Sequence, residues 1–255
     1  LPELDKKGIN PGELQGDVMV RHVSFNYKPN DPYIFGDLNL KFERGKFTAI
    51  VGPSGSGKST LFRLLLGFEE PREGKILYDG KNLSTLNIRQ VRQQIGVVLQ
   101  TTTLLPGSIL NNILGNNLDL TIEDAWEAAR LAGIDQDIEQ LPMGMHTGLS
   151  EQGRTFSMGQ RQRLMIARAM VTKPKILFLD EATSALDNET QALVQESLKK
   201  LNVTRIVAAH RLSTIINADW IYVLNDKGQV VQEGRYEKLK KEKGLFAEFA
   251  ARQNV

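Results

Sequence analysis

The first part of the chain alternates apolar and polar residues. The segment Val18–Phe25 has apolar residues at a mostly alternating spacing and predicts an edge strand. Within residues 38–42, Leu38, Leu40 and Phe42 alternate strictly with polar neighbours. This two-residue period predicts a half-exposed antiparallel strand. We therefore expect the fold to begin near Gly16 with an N-terminal antiparallel β-subdomain.

From residue 47 onward the pattern becomes that of buried strands alternating with helices. The apolar run Phe47–Val51 leads into a glycine-rich turn, and residues 59–67 then have helical apolar spacing. Further strands are predicted at 73–80, 95–99, 176–179 and 205–209 and near Ile221 and Val230. Helices are predicted at 159–171 and 189–201 and at the C-terminus. This alternation predicts an α/β fold with a mostly parallel sheet flanked by helices.

The composition of the chain predicts a linker, a domain and a helical subdomain within that domain. Residues 1–15 mix proline, glycine and charge and are predicted to be a linker from an upstream segment. The domain is predicted to occupy residues 16–255, with an α-helical subdomain at about 101–170. Within that subdomain Thr121 and Asp124 form a helix N-cap pattern, and Gly133 marks a stop. Because the chain lacks an initiator Met, we expect a fragment of a longer protein.

Composition and charge exclude several classes of protein. The 255 residues hold 32 basic and 30 acidic side chains, a net charge of +2, which is too balanced for a broad surface that binds nucleic acid. Zero cysteines exclude disulfides, thiolate metal sites and a cysteine nucleophile. Every apolar run is far shorter than the roughly 20 residues that a membrane-spanning helix needs. The N-terminus also lacks the layout of a signal peptide.

The turn after the apolar run Phe47–Val51 has the spacing Gly, four residues, Gly-Lys-Ser. It reads Gly52, Pro53, Ser54, Gly55, Ser56, Gly57, Lys58, Ser59 and Thr60, and it lies between a strand and a helix as a phosphate-binding loop requires. Glycines let backbone N–H groups turn toward phosphate oxygens, and the helix N-terminus adds its positive dipole. Lys58 is predicted to reach the β- and γ-phosphates, and the Ser59 hydroxyl to bind Mg²⁺. The alternative is a Gly-Ser turn that only caps a helix.

Two carboxylates follow the predicted strand at 176–179. Asp180 and Glu181 would lie at the carboxyl edge of the sheet, where open α/β folds bind ligands. Asp180 is predicted to hold Mg²⁺, and Glu181 to polarise an attacking water. The alternative is that both carboxylates cap the next helix.

The segment Phe156, Ser157, Met158, Gly159, Gln160 precedes that strand. With the phosphate loop and the carboxylates in this order, the chain resembles the nucleotide-binding domain of an ABC transporter from about residue 16 onward. The signature of that family is Leu-Ser-Gly-Gly-Gln, so this chain departs from it at Phe156 and Met158. Glycine allows close backbone approach to phosphate, and we expect Met158 to weaken an ATP-bound dimer or slow hydrolysis.

The resemblance implies a P-loop NTPase core and roles for residues elsewhere. It implies that Tyr27 stacks on adenine, that Gln100 links the site to the helical subdomain and binds metal, and that His210 is a switch histidine. Residues 184–187 match the dimer-facing loop. From position alone Tyr27 could be a packed strand aromatic, Gln100 could only end a strand, and Ser157 could be an ordinary N-cap.

The resemblance also implies a set of site residues. The catalytic residues are Glu181, His210 and Gln100, and the metal ligands are Ser59, Gln100 and Asp180. The residues expected to bind ATP are Tyr27, the loop residues Gly52 to Thr60 named above, and Ser157, Gly159 and Gln160 of the signature.

Within the family the chain is most similar to exporter domains, and in particular to bacterial peptide or bacteriocin exporters, including the type linked to nitrile-hydratase-like leader peptides. This likeness rests on residues 78–80, 141–147 and 210–215, and residues 148–153 resemble an exporter-specific loop. A non-transport ATPase switch of the translation or DNA-repair class is the alternative. A catalytically idle scaffold is disfavoured because Lys58, Asp180, Glu181 and His210 are present.

The resemblance implies partners and a location as well. Two copies of the domain would enclose two MgATP, with the signature of one copy facing the phosphate loop of the other. The transmembrane part of the exporter is expected in the same full-length chain, and no nucleic acid is expected as a partner. The expected location is the cytoplasmic face of a bacterial inner membrane, with the isolated fragment soluble.

Overall fold

The structure is a computed structural model that describes residues 8–99, 104–115, 117–149, 156–180, 188–209 and 211–252. The strands are β1 Val18–Phe25, β2 Phe35–Phe42, β3 Phe47–Val51, β4 Glu73–Tyr78, β5 Lys81–Asn82, β6 Ile95–Val98, β7 Gly107–Ser108, β8 Gly148–Leu149, β9 Ile176–Asp180, β10 Thr204–Ala208, β11 Trp220–Leu224 and β12 Val230–Gly234. The helices are α1 Lys58–Leu65, α2 Ile88–Arg92, α3 Ile109–Leu114, α4 Ile122–Leu131, α5 Asp135–Glu139, α6 Met158–Met170, α7 Asn188–Lys200, α8 Leu212–Ile215, α9 Tyr236–Leu239 and α10 Leu245–Ala251.

The chain divides into two compact units. The first comprises Leu1–Gln94 and Thr204–Val255, and the second comprises Ile95–Val203. The phosphate loop lies in the first unit, whereas Asp180 and the signature lie in the second.

The first unit begins with an antiparallel sheet in the order β2-β1-β4-β5. Strand β2 alternates as predicted, with Phe35, Leu38, Leu40 and Phe42 buried between exposed residues. The prediction that β1 is an edge strand is wrong, because β1 pairs with β2 on one side and with β4 on the other. The spacing of apolar residues indicates which face of a strand is buried, but it does not indicate how many neighbours the strand has.

A second group of strands in this unit has the order β12-β11-β3-β10. Strand β3 is parallel to both β10 and β11, and β12 is antiparallel to β11. All five residues of β3 are buried, which explains why its sequence is uniformly apolar. The α/β fold with an N-terminal antiparallel sheet is confirmed.

The segment before β1 packs against the first unit. Ile9 forms a parallel bridge with Leu86, and Leu14 is buried. The Asp79 carboxylate accepts hydrogen bonds from the backbone N–H groups of Gln15, Gly16 and Asp17 at 2.7–3.1 Å. Residues 8–15, which the sequence predicts to be a linker, therefore have specific contacts with the domain that follows.

The second unit holds the parallel pair β6 and β9, in the register Ile95↔Ile176 to Val98↔Leu179. The predicted cap of α4 is present, because the Thr121 hydroxyl and the Asp124 carboxylate each accept a hydrogen bond from the other residue's backbone N–H. The predicted stop Gly133 follows α4 with φ +67°. In the part of the chain that the structure describes, no helix is both long and apolar enough to cross a bilayer.

Candidate functional site

The phosphate loop joins β3 to α1, and its glycines are required by its backbone. Gly55 and Gly57 have φ values of +83° and +94°, in the left-handed region where a side chain is strained. A Cβ atom on Gly57 would also lie 2.7 Å from the ring of Phe35, which is fully buried. At Gly52 a Cβ would lie 2.7 Å from the carbonyl oxygen of Leu224. Steric contact and backbone conformation therefore both explain the glycine pattern.

The Lys58 ammonium lies against this loop. Its Nζ donates hydrogen bonds to the carbonyl oxygens of Gly52 at 2.8 Å and Pro53 at 3.0 Å, and it lies 3.4 Å from the Ser56 hydroxyl. Lys58 is only 6% exposed. These carbonyl oxygens hold the ammonium group in place beside the loop. The loop therefore presents a fixed cation at the start of a helix.

The N-terminus of α1 lies beside that cation. Helix α1 begins after the N-cap Gly57, and within the described chain no side chain caps its first amides and no acidic residue lies in its first turn. The first amides of a helix need acceptors, and they lie at the positive end of its dipole. Pro53, Ser54, Gly55 and Ser59 are exposed around them. Fixed positive charge, amides and an exposed hydroxyl suit a polyphosphate.

Tyr27 lies close to the same loop. Its hydroxyl is 3.2 Å from the hydroxyl of Thr60, the last residue of the predicted loop. Its ring packs edge to face against Phe25 with centroids 5.1 Å apart, and 47% of the residue is exposed. The structure thus brings Tyr27 to the phosphate loop with part of its surface open to a ligand.

An ion pair at the surface of the first unit involves an exposed residue of α1 itself. Arg63 donates to the Glu69 carboxylate with Nη2 at 2.8 Å, and this hydrogen bond raises the pKa of the Arg63 guanidinium above its ordinary value. Arg63 lies in the last turn of α1, and its charge is paired with that of Glu69.

In the second unit, Asp180 is the last residue of β9 and is half-buried. Because β6 and β9 are parallel, Val98 and Asp180 lie toward the same edge of this pair of strands. Gln100 follows β6 by two residues and Glu181 follows Asp180 directly, and both lie outside the described residues. The same applies to His210, to residues 150–153 and to residues 184–187.

The signature residues begin α6. The Ser157 hydroxyl accepts a hydrogen bond from the Gln160 N–H at 3.1 Å, and the Gln160 side chain accepts one from the Ser157 N–H at 2.8 Å. Gln160 also donates to Asp137 at 2.6 Å, and Asp137 forms an ion pair with Arg163 at 2.9 Å. Ser157 is therefore an N-cap, and Gln160 ties the start of α6 to α5.

Met158 is the first residue of α6. It is 68% exposed, and it is absent from the residues with positive φ, so its side chain causes no backbone strain. Gly159 follows it within the first turn of the helix. The thioether of Met158 is therefore open to solvent, whereas the N–H of Gln160 in the same turn is bonded to the Ser157 hydroxyl.

Several supporting contacts could not be found from the sequence. The Phe35 ring beneath Gly57, the Asp137 carboxylate beneath Gln160 and the contacts of Arg72 with Asn26 and Tyr27 all join residues far apart in the chain. No spacing signal predicts such pairs. The glycine pattern indicates that another group packs closely against the backbone, but it does not identify that group.

Magnesium is implied by the predicted site, and the residue types fit it. Among the described residues there is no cluster of three or more His, Asp or Glu side chains that could hold a metal alone. Mg²⁺ commonly uses one or two protein oxygens and completes its shell with phosphates and water. The exposed hydroxyl of Ser59 and the carboxylate of Asp180 are ligands of that kind.

These features define a P-loop nucleotide-binding domain, in which a strand, a glycine-rich loop and a helix form a phosphate site at the end of a parallel sheet. The family model described as "ABC transporter" matches residues 35–184, more than half of the chain. The chain belongs to the ABC transporter family.

Individual relatives agree with this assignment. The leukotoxin export ATP-binding protein LtxB of Aggregatibacter actinomycetemcomitans is 44% identical over 248 residues, which are 96% of this chain and 35% of that protein. The alpha-hemolysin translocation ATP-binding protein HlyB of Escherichia coli is 44% identical over 229 residues, or 89% of this chain and 32% of that protein. The chain thus spans about a third of these relatives.

A solved structure is similar over almost the whole chain. It is a bacterial Atm1-family ABC exporter with ATP bound, and it matches with a TM-score of 0.92 and 36% identity over 98% of this chain and 44% of that chain. The chain is the ATP-binding domain of an exporter-type ABC protein, and the predicted ATPase class and the ligands ATP and Mg²⁺ are confirmed. The peptide or bacteriocin subfamily stays a prediction.

Proposed function

We propose that this chain is the motor domain of a bacterial exporter that binds and hydrolyses MgATP to move a polypeptide across a membrane. The observation that supports the proposal best is the phosphate loop, where a buried Lys58 and the uncapped amides of α1 lie together. A turn with only a structural role would not need an ammonium group beside the amides at a helix N-terminus. A bound anion would give this arrangement a purpose.

The phosphate chain of ATP would bind along residues 52–60. The loop amides and Lys58 would neutralise phosphate charge, and Lys58 would exchange its carbonyl partners for phosphate oxygens. Tyr27 would stack on adenine through the exposed part of its ring. Ser59, Gln100 and Asp180 would hold Mg²⁺, which neutralises the charge that develops on the phosphates.

Hydrolysis is assigned to residues that follow the sheet strands. A water oxygen attacks the γ-phosphorus, the bond from that phosphorus to the oxygen of ADP breaks, and the water proton passes toward Glu181. His210 and Gln100 would orient the γ-phosphate and the water. These roles rest on the order of the motifs along the chain, since all three residues lie outside the described part.

A second copy of the chain would complete each site. Phosphoryl transfer needs donors around the γ-phosphate. The Ser157 hydroxyl and the amide of Gly159 in the first turn of α6 are donors at a helix N-terminus, and they would act on the ATP held by the partner's loop while Gln160 caps that turn. The closing of this dimer would pull on the transmembrane segments of the exporter.

The cargo and the location are inferred from the relatives. Their names record leukotoxin export and alpha-hemolysin translocation, both of which concern proteins. We therefore propose a polypeptide cargo, for which a peptide or bacteriocin is one candidate. The transmembrane partner would belong to the same full-length protein, and the domain would lie at the cytoplasmic face of the inner membrane.

The substitution Glu181→Gln tests the proposal. It should retain MgATP binding, reduce phosphate release by about 10²-fold or more, and cause a dimer to accumulate on gel filtration with MgATP. The matched control is Glu237→Gln, which changes an exposed glutamate of α9 and should behave as wild type. Wild-type turnover in Glu181→Gln would remove Glu181 from its proposed role.

A further inference from the structure

The loop that presents Tyr27 is held at its base by Arg72. Tyr27 follows β1, and its backbone carbonyl accepts a hydrogen bond from Nη2 of Arg72 at 3.3 Å. The Nε atom of the same guanidinium donates to the Asn26 side chain at 3.2 Å. One guanidinium group therefore contacts both the residue before Tyr27 and Tyr27 itself.

Asn26 closes the loop from the inside. It is only 3% exposed, and its Nδ2 donates to the backbone carbonyl of Asp31 at 2.9 Å. The N–H of Asp31 in turn donates to the carbonyl of Lys28 at 3.0 Å. The turn of residues 26–31 is thus closed on one side by Asn26, and Arg72 binds the oxygen of the same amide.

The backbone of Arg72 is fixed as well. Its N–H donates to the carbonyl of Ser24 in β1 at 2.9 Å, just before β4 begins. The side chain and the main chain of Arg72 therefore contact three residues of one short segment, Ser24, Asn26 and Tyr27. A lysine could not reproduce the pair of side-chain bonds, because its ammonium is a single point charge whereas the guanidinium is a planar fork.

We propose that Arg72 is a positioning residue for the nucleotide base, acting through Asn26 and Tyr27. This inference rests on the proposed function, in which the ring of Tyr27 stacks on adenine. Arg72 fixes the backbone from which the ring projects, and the contact with Thr60 fixes the hydroxyl at the other end. The ring is thereby pre-organised, so ATP binding does not carry the entropy cost of ordering it.

The triphosphate part of the ligand should not depend on this arrangement. It binds to residues 52–60, whose fixed contacts are those of Lys58 with Gly52 and Pro53. Arg72 is thus predicted to affect ligands that have a base and to leave a bare polyphosphate unaffected. This difference separates a positioning role from a general role in folding.

The experiment is a calorimetric comparison of two ligands, MgATP and magnesium tripolyphosphate, on the full 255-residue chain. The test variants are Arg72→Met, Arg72→Lys, Tyr27→Ala and the double variant Arg72→Met/Tyr27→Ala. The matched control is Arg44→Met, which truncates an exposed arginine in the turn between β2 and β3.

Arg72→Met should raise the dissociation constant for MgATP by roughly five- to thirtyfold, the cost of ordering one backbone residue on binding. Its dissociation constant for tripolyphosphate should stay within about twofold of wild type, since a factor of two is under half a kcal/mol. Arg72→Lys should recover only part of the loss, and Arg44→Met should match wild type for both ligands. In the Tyr27→Ala background, Arg72→Met should cause no further loss, because the ring that it positions is gone.

Three outcomes would overturn the inference. In the first, Arg72→Met binds MgATP as tightly as wild type does. In the second, Arg72→Met weakens the binding of both ligands equally, which indicates a general structural role. In the third, Arg72→Met weakens MgATP binding as strongly in the Tyr27→Ala background as in wild type. Wild-type protein that binds neither ligand would instead overturn the proposed function, and the inference with it.

Discussion

Single residues decide whether the phosphate loop can form. Gly57 is the clearest case, because its left-handed backbone disfavours a side chain and the buried Phe35 ring leaves no room for one. The glycine was predicted from the motif, whereas the ring beneath it was not. Met158 is the opposite case, since a side chain stands where the family signature has glycine, and the helical backbone there accepts it without strain.

The side chain of Met158 should hinder the ATP-bound dimer by its bulk alone. Met158→Gly should therefore strengthen MgATP-dependent dimerisation or speed phosphate release, with an effect on the order of 1 kcal/mol, as for relief of an overpacked contact. Equilibrium sedimentation with MgATP in the Glu181→Gln background measures dimerisation, and a phosphate assay measures turnover.

Met158→Ala serves as the matched variant, because it removes the bulk but keeps the helix propensity that glycine loses. Both substitutions should act in the same direction. If neither changes dimerisation or turnover, the bulk of Met158 has no role in closing the dimer.

At the scale of elements, α1 is fixed at both ends by contacts with strands. Its N-terminus follows β3 through the phosphate loop, and the carbonyl of its last residue, Leu65, accepts a hydrogen bond from the Tyr78 hydroxyl at 2.6 Å. Tyr78 ends β4 and is completely buried. Burial raises the pKa of the Tyr78 phenol above its ordinary value, an effect that the charge of Arg92 partly opposes.

Tyr78→Phe should lower the free energy of unfolding at neutral pH by about 1–2 kcal/mol, because the Leu65 carbonyl loses its partner. A pKa that is raised in the folded state favours the protonated phenol. The corresponding stability is fully present below the ordinary tyrosine pKa of about 10 and is lost as the pH rises above it. Above pH 10 the free energy of unfolding of wild type should therefore fall by about 1.4 kcal/mol per pH unit more than that of Tyr78→Phe.

Urea unfolding at about pH 8 and about pH 10.5, on either side of the ordinary tyrosine pKa, measures this difference. Tyr33→Phe is the matched control, since it changes a tyrosine that is 54% exposed and retains Tyr78. Its loss of stability between the two pH values should equal that of wild type. A gap between wild type and Tyr78→Phe that stays constant over this range would contradict the account of Tyr78 burial.

Elements whose signals are local were predictable from the sequence. The caps at Thr121 and Ser157 join residues three apart, and both are present. The number of neighbours of β1 was not predictable, because strand pairing depends on β4, which lies some fifty residues further on. The contact of Arg72 with Tyr27 spans 45 residues and has no sequence signal.

At the scale of the whole molecule, the predicted site residues are divided between the two units. The phosphate loop belongs to the first unit and is complete within one continuous segment, which is why the sequence could predict it. Asp180 and the signature belong to the second unit. The order of these motifs along the chain identified the family, but it does not give their distances from the loop.

The segment before β1 adds a feature that belongs to this scale. Its contacts with Leu86 and Asp79 hold this segment against the first unit. Gly8 packs so closely that a Cβ would lie 2.3 Å from the carbonyl carbon of Leu86. In a full-length exporter, as proposed, an upstream segment would therefore enter a fixed path on the surface of the first unit.

The central claim is that two copies of this domain together hydrolyse MgATP. It is tested most directly by measuring phosphate release per chain over a dilution series from micromolar to nanomolar protein. The account predicts release that requires Mg²⁺ and falls per chain on dilution, because a single copy lacks the signature donors of its partner. Release per chain that stays constant throughout the dilution, or no release above the ATP-only background, would contradict it.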